Sequence, residues 1–138
     1  MNKGELISSL EKATEGSREL DAEIAVLLSG DPEAWVVNPA PHSIFSPVPG
    51  WWRTGDDVSH EAPAYTTSID AIVALIERKL PGWGFDVTYR AAWGNSTACV
   101  IGPERSSPPH SAAGKTHALA LATALLRALQ HQGGGNHG

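Results

Sequence analysis

Cysteine is almost absent from this sequence: of 138 residues only Cys99 carries a thiol. That excludes an intramolecular disulfide and a zinc site built from several thiolates. Cys99 lies in the apolar run TACVIG, the setting of a small buried side chain, with no neighbouring cation to make it a nucleophile. Long apolar runs are missing too, and nothing approaches the roughly 20 residues of a membrane span. The amino terminus MNKGELISSLEKATEG has no apolar core of a signal peptide, so an intracellular, soluble protein with no membrane partner is expected. Basic residues are few. Ten Lys and Arg against fifteen Asp and Glu give a formal charge of −5, which argues against broad binding to DNA or RNA.

Catalytic signatures are also lacking. No Gly-x-Ser-x-Gly elbow occurs, and no two of the six histidines (42, 60, 110, 117, 131 and 137) have the close spacing of a metal-ligand pair. The stretch AGKTH, Ala113 to His117, matches the end of a phosphate-binding loop, but such a loop needs glycine where Pro109 stands. Neither a cofactor nor a metal is expected.

What is present describes a loop-rich globular domain, expected over residues 1–132 with a disordered tail over 133–138. GELISSLEKAT aligns Leu6, Ile7 and Leu10 on one helical stripe. SRELDAEIAVLL restarts a helix behind Ser17 as N-cap, with Leu20, Ile24, Leu27 and Leu28 at helical spacing. AWVVNP and GWWRT read as short edge strands around a proline-dominated segment, and TGDDVSHEAPA as loop. YTTSIDAIVALIERKLPG is the cleanest helix, capped by Thr67 or Ser68, with Ile69, Ile72, Val73, Ile76 and Leu80 as its stripe and Pro81-Gly82 as its stop. GFDVTYRAAW alternates as a half-buried strand, and residues 84–102 form a hairpin. PERSSPPHSAAG reads as loop, and an alanine-rich helix runs from about Thr116 to Gln130 before HQGGGNHG frays. The order indicates an α+β fold with a small antiparallel or mixed sheet packed by helices.

Five tryptophans are many for this length. Trp51 and Trp52 adjoin on a strand, so their side chains point to opposite faces and cannot both serve one core. The outward one, beside Arg53, suits either stacking on a flat ring with the guanidinium on a phosphate, or a subunit interface. A second cluster, Lys115, Thr116 and His117, opens the last helix, where free N–H groups and the helix dipole attract anions, with Arg105, Ser106 and Ser107 in the loop before it. Capping by Thr116 is the plainer reading of the same residues.

Three blocks carry a resemblance to a known family: ATEGSRELDAEIA (13–25), YTTSIDAIVALIERKLPGWGFDVTY (65–89) and KTHALALATALLRAL (115–129). The chain resembles the phage ABA sandwich domain family. The resemblance implies an α-β-α arrangement, a phage or prophage source and residence in the host bacterial cytoplasm. It brings no catalytic residues.

The function expected from these features is non-enzymatic. The protein would sequester a small nucleotide-derived host defence signal, of the cyclic nucleotide or cyclic ADP-ribose type. Trp51 or Trp52 would stack on the base, with Arg53, Arg105, Lys115, Thr116 and His117 around the phosphate, in a homo-oligomer. One alternative is a structural or protein-binding phage accessory whose tryptophan pair is an oligomer contact. Another is a small hydrolase using His60, His110 or His117 with a loop carboxylate.

Overall fold

A capping side chain precedes each helix, and each does what its residue type dictates. In the computed structural model, which describes residues 2–37, 49–104 and 108–135, helix α1 (Lys3–Lys12) begins where Asn2 Oδ1 accepts the Glu5 N–H at 2.8 Å. Helix α2 (Arg18–Leu28) begins where Ser17 Oγ accepts the Leu20 N–H. Ser68 caps α3 (Ile69–Lys79) through the Ala71 N–H, and Thr116 caps α4 (His117–Gly135) through the Leu119 N–H. Each cap satisfies one of the amide groups a helix leaves free at its start.

Strands β1 (Trp35–Val36), β2 (Trp51–Arg53) and β3 (Ser59–Glu61) form one antiparallel sheet in that order. Strands β4 (Gly84–Arg90), β5 (Asn95–Ile101) and β6 (His110–Gly114) form a second. The fold is therefore α+β with small antiparallel sheets, as the element order indicates. The strands divide into two sheets: β1 and β2 pack on α2, and the second sheet packs on α4.

Helix α4 is buried on every side from Ala118 to Leu126, as an apolar stretch without a polar face requires, and is exposed at Gln130, His131 and Gln132. Its one buried hydroxyl, Thr123, donates to the Leu119 carbonyl at 2.8 Å. On the sheet facing it, Ser96, Ala98 and Val100 of β5 and Ala112 of β6 point inward. Small side chains let helix and strand approach closely. At Gly114 an added Cβ would lie 2.8 Å from the Ala120 backbone nitrogen, so the glycine of AGKTH serves a tight strand-to-helix junction.

Several expectations change. Ser59–Glu61 and His110–Gly114 are strands where the sequence reads as loop. Neither has an apolar alternation, and both are made by pairing with distant partners. The strand expected in AWVVNP is reduced to Trp35–Val36, and the segment 38–48 lies outside the described residues. On α3, Leu75 is buried while Ile69, in the helix's first turn, is 42 % exposed. Helix α4 continues past Gln130 to Gly135. Cys99 is half-buried on the face of β5 turned away from α4, with its Sγ 3.1 Å from Ser111 Oγ.

Candidate functional site

The alternation rule holds on β2. Trp52 pairs in register with Val36 and His60 and packs against the core. Its ring stacks on the His60 imidazole, centroids 4.7 Å apart and planes inclined by 27°. Trp51 and Arg53 face the other way, beside Trp35, which is 44 % exposed. The Arg53 guanidinium lies 5.8 Å from the Trp35 ring centroid and donates to the Asp57 carbonyl at 2.6 Å, with the Asp57 carboxylate at 3.3 Å. Arg53 is thus already engaged by the β2–β3 turn, where Asp57 holds a φ of 72°.

The expected site residues do not meet in one cavity. Trp51 and Arg53 line a depression of about 330 Å³ with Val37 and Ser59. Thr116 and His117 line another of about 400 Å³ with Gly16, Thr66 and Thr67. Lys115 is exposed on the short turn before α4, and Arg105 lies outside the described residues. Thr116 acts as the helix cap. His117 is half-buried, its ring edge-on to Tyr89 at 6.2 Å, and its Nε2 is buried with no hydrogen-bond partner among the described residues. His60, His110 and His117 line three separate cavities, each with a carboxylate: Glu61, Glu104 and Glu15 respectively. No group of three or more metal-ligating side chains occurs among the described residues.

What the fold does assemble is a cleft of about 310 Å³ on the inner side of β2. Trp52 and His60 form its aromatic wall. Glu61 and Tyr65 also line it, and Arg78 and Lys79 come from the last turn of α3. Arg78 reaches the Tyr65 hydroxyl at 3.4 Å, and Lys79 Nζ donates to the Leu28 carbonyl at the end of α2 at 2.8 Å. Cations at helix C-termini offset the negative end of the dipole. Arg78 and Lys79 are both exposed residues, and each head group has more N–H donors than its one contact uses, so donors remain for a ligand. The volume sits at the lower end of the range for small-molecule sites, about 300–1,000 Å³.

A buried polar cluster holds this wall in place. Asp21 is fully buried; its Oδ1 accepts from the Thr66 N–H at 2.8 Å and the Thr66 hydroxyl at 2.6 Å, and its Oδ2 pairs with Arg18 at 2.6 Å. Arg18 also donates to the Ala62 carbonyl at 2.6 Å. The segment from Ala62 to Thr66, which carries Tyr65, is thereby tied to the first turn of α2. Gly16 lies so close to the Thr66 carbonyl that a Cβ there would collide with it.

Sequence reasoning missed Tyr65, Arg78 and Lys79 as site residues. A basic pair at a helix end is the ordinary complement of the dipole, and nothing local distinguishes it as ligand-facing.

A fourth cavity, about 280 Å³, lies between Trp83, His110 and His131. Trp83 stacks over His110 at 6.1 Å, and the His110 and His131 rings are 5.0 Å apart. Burial, with the charge of His131 adding to it, holds the His110 pKa below the ordinary imidazole value. The unfolded chain takes up this proton near pH 6.5 while the folded chain resists it, so the unfolded state binds more protons. Stability is therefore expected to fall as pH drops below about 6.5. Urea unfolding across that range, compared with His110→Asn, checks this: the variant should lose part of the pH dependence, and identical curves would refute it.

No helix among the described residues is long and apolar enough to cross a membrane. No family model, curated protein or solved structure matches the chain. The resemblance to the phage ABA sandwich family accordingly rests on the three sequence blocks alone.

Proposed function

We propose that this chain is a non-enzymatic binding protein that holds a small nucleotide-like ligand in the cleft between β2, β3 and α3. The observation that carries the reading is the Trp52–His60 stack facing a cleft that Arg78 and Lys79 also line. Aromatic faces take any base, and neighbouring cations take phosphate. In this reading the platform is Trp52, the inward one of the two candidate tryptophans, and Arg78 and Lys79 take the phosphate role expected of Arg53, Arg105, Lys115, Thr116 and His117.

Binding alone would suffice for the role, because tight sequestration lowers the free concentration of a signal without chemistry. A cyclic nucleotide or a cyclic ADP-ribose derivative fits this chemistry. A phage source, and hence a host defence signal as the target, comes from the resemblance. Native mass spectrometry of protein purified from cells, followed by heat release, tests the reading. An intact nucleotide should be recovered. A hydrolysed product would exclude sequestration and favour the hydrolase reading.

The accessory reading also has an observation in its favour. Trp35, Tyr89 and Trp93 are exposed at 44 %, 55 % and 64 %, and aromatic residues are enriched in protein interfaces.

A further inference from the structure

Strand β4 is the longest unprotected edge among the described residues. Its seven residues pair with β5 without a bulge, from Gly84↔Ile101 to Arg90↔Asn95, and no other strand borders it. Proteins blunt such edges with proline, bulges or charged side chains, lysine above all, because free N–H and C=O groups recruit another strand. GFDVTYR contains no proline and no lysine, and its two charges, Asp86 and Arg90, are of opposite sign.

Its inward face is also under-covered. Phe85, Val87 and Tyr89 lie in register with Val100, Ala98 and Ser96, so they point to the side occupied by α4. Yet Val100, Ala98 and Ser96 are at most 1 % exposed, whereas Phe85 is 36 % and Tyr89 55 % exposed. The helical layer stops short of the sheet's last strand.

The geometry points to a second copy of this chain as the occupant: β4 pairs antiparallel with the partner's β4 about Val87, making one six-stranded sheet. A two-fold axis perpendicular to the sheet is the symmetry that joins two antiparallel edges, and it places both helical layers on the same side. Centring on Val87 uses all seven residues. Phe85 then lies opposite the partner's Tyr89, and Tyr89 opposite the partner's Phe85, giving two aromatic cross-strand pairs where the aromatics are now exposed. On the other face Asp86 lies opposite the partner's Thr88, with the partner's Arg90 on one diagonal and the partner's Asp86 on the other, so charge is balanced there and the aromatic pairs carry the register. Centring on Asp86 instead would set two carboxylates against each other. This interface does not depend on the ligand cleft, which none of these residues line.

Sedimentation over a concentration series tests it. The wild-type chain should reach twice its monomer mass. Phe85→Lys and Tyr89→Lys should remain monomeric with unchanged far-UV circular dichroism, while Trp51→Ala still dimerises. A wild type that stays monomeric at the highest concentration overturns the proposal. So does a dimer that survives both lysine substitutions, or one that Trp51→Ala alone dissolves. Amide exchange on the wild type gives an answer even if the variants fail to fold. Exchange over residues 84–90 should slow as concentration rises, and concentration-independent exchange there overturns the proposal.

Discussion

Asp21→Ala is expected to lower folding stability by about 3 kcal/mol, at the low end for breaking a buried ion pair. The carboxylate is fully buried and accepts from three donors: the Thr66 amide, the Thr66 hydroxyl and Arg18. Removing it strands the Thr66 N–H away from water, and an unsatisfied buried donor costs about 1–3 kcal/mol. It also removes the nearer of Arg18's two carboxylates, leaving Glu61 at 3.8 Å and the Ala62 carbonyl as its partners. The full penalty for an unpaired buried charge does not apply, because the Arg18 side chain is 34 % exposed and water reaches it. Arg18→Ala should therefore cost less than Asp21→Ala. Urea unfolding with circular dichroism measures both. A loss under about 1 kcal/mol for Asp21→Ala would show that the cluster does not hold the 62–66 segment.

The same cluster reaches function through Tyr65. If the segment from Ala62 to Thr66 loosens, the part of the cleft that Tyr65 lines loosens with it. Asp21→Ala should thus weaken ligand binding although Asp21 does not line the cleft.

Substitutions in the cleft should have the largest effect on binding. Loss of one aromatic stacking partner costs about 1–3 kcal/mol, which is roughly 5- to 150-fold in affinity. His60→Ala and Arg78→Ala are expected within that range by calorimetric titration with cyclic mononucleotides and ADP-ribose. Trp52→Ala should lose at least as much, and because the ring also backs the core it should lower the unfolding midpoint too. Trp51→Ala provides the contrast, since its side chain leaves the opposite face of the same strand. Its affinity should be unchanged. Equal losses for Trp51→Ala and His60→Ala would move the site to the outer face, and no binding by the wild type would remove the nucleotide reading.

Much of the local structure is legible in the residues themselves. Ser17 and Ser68 sit one residue ahead of segments that carry apolar stripes, and both cap the helices formed there. The 84–102 stretch alternates and turns as a hairpin does, and the strands pair over Gly84–Arg90 and Asn95–Ile101. The adjacency of Trp51 and Trp52 is enough to send them to opposite faces. Each of these follows from interactions within a few positions along the chain, where periodicity and capping act.

The site is not legible in that way. His60 belongs to a strand whose residues, Ser-His-Glu, have no pattern of their own and acquire one by pairing with β2. Arg78 and Lys79 are unremarkable helix-end cations until α3 is set beside α2 and β3. The Gly114–His117 turn resembles a phosphate loop, yet close packing of β6 on α4 claims its glycine and capping claims Thr116.

The helices, the hairpin and the divergence of the two tryptophans follow from residues a few positions apart, because backbone periodicity and caps are local. Which tryptophan meets a cleft, and which cations meet it there, follows from packing. Those neighbours come from separate segments, and their contact depends on how the helices and sheets pack.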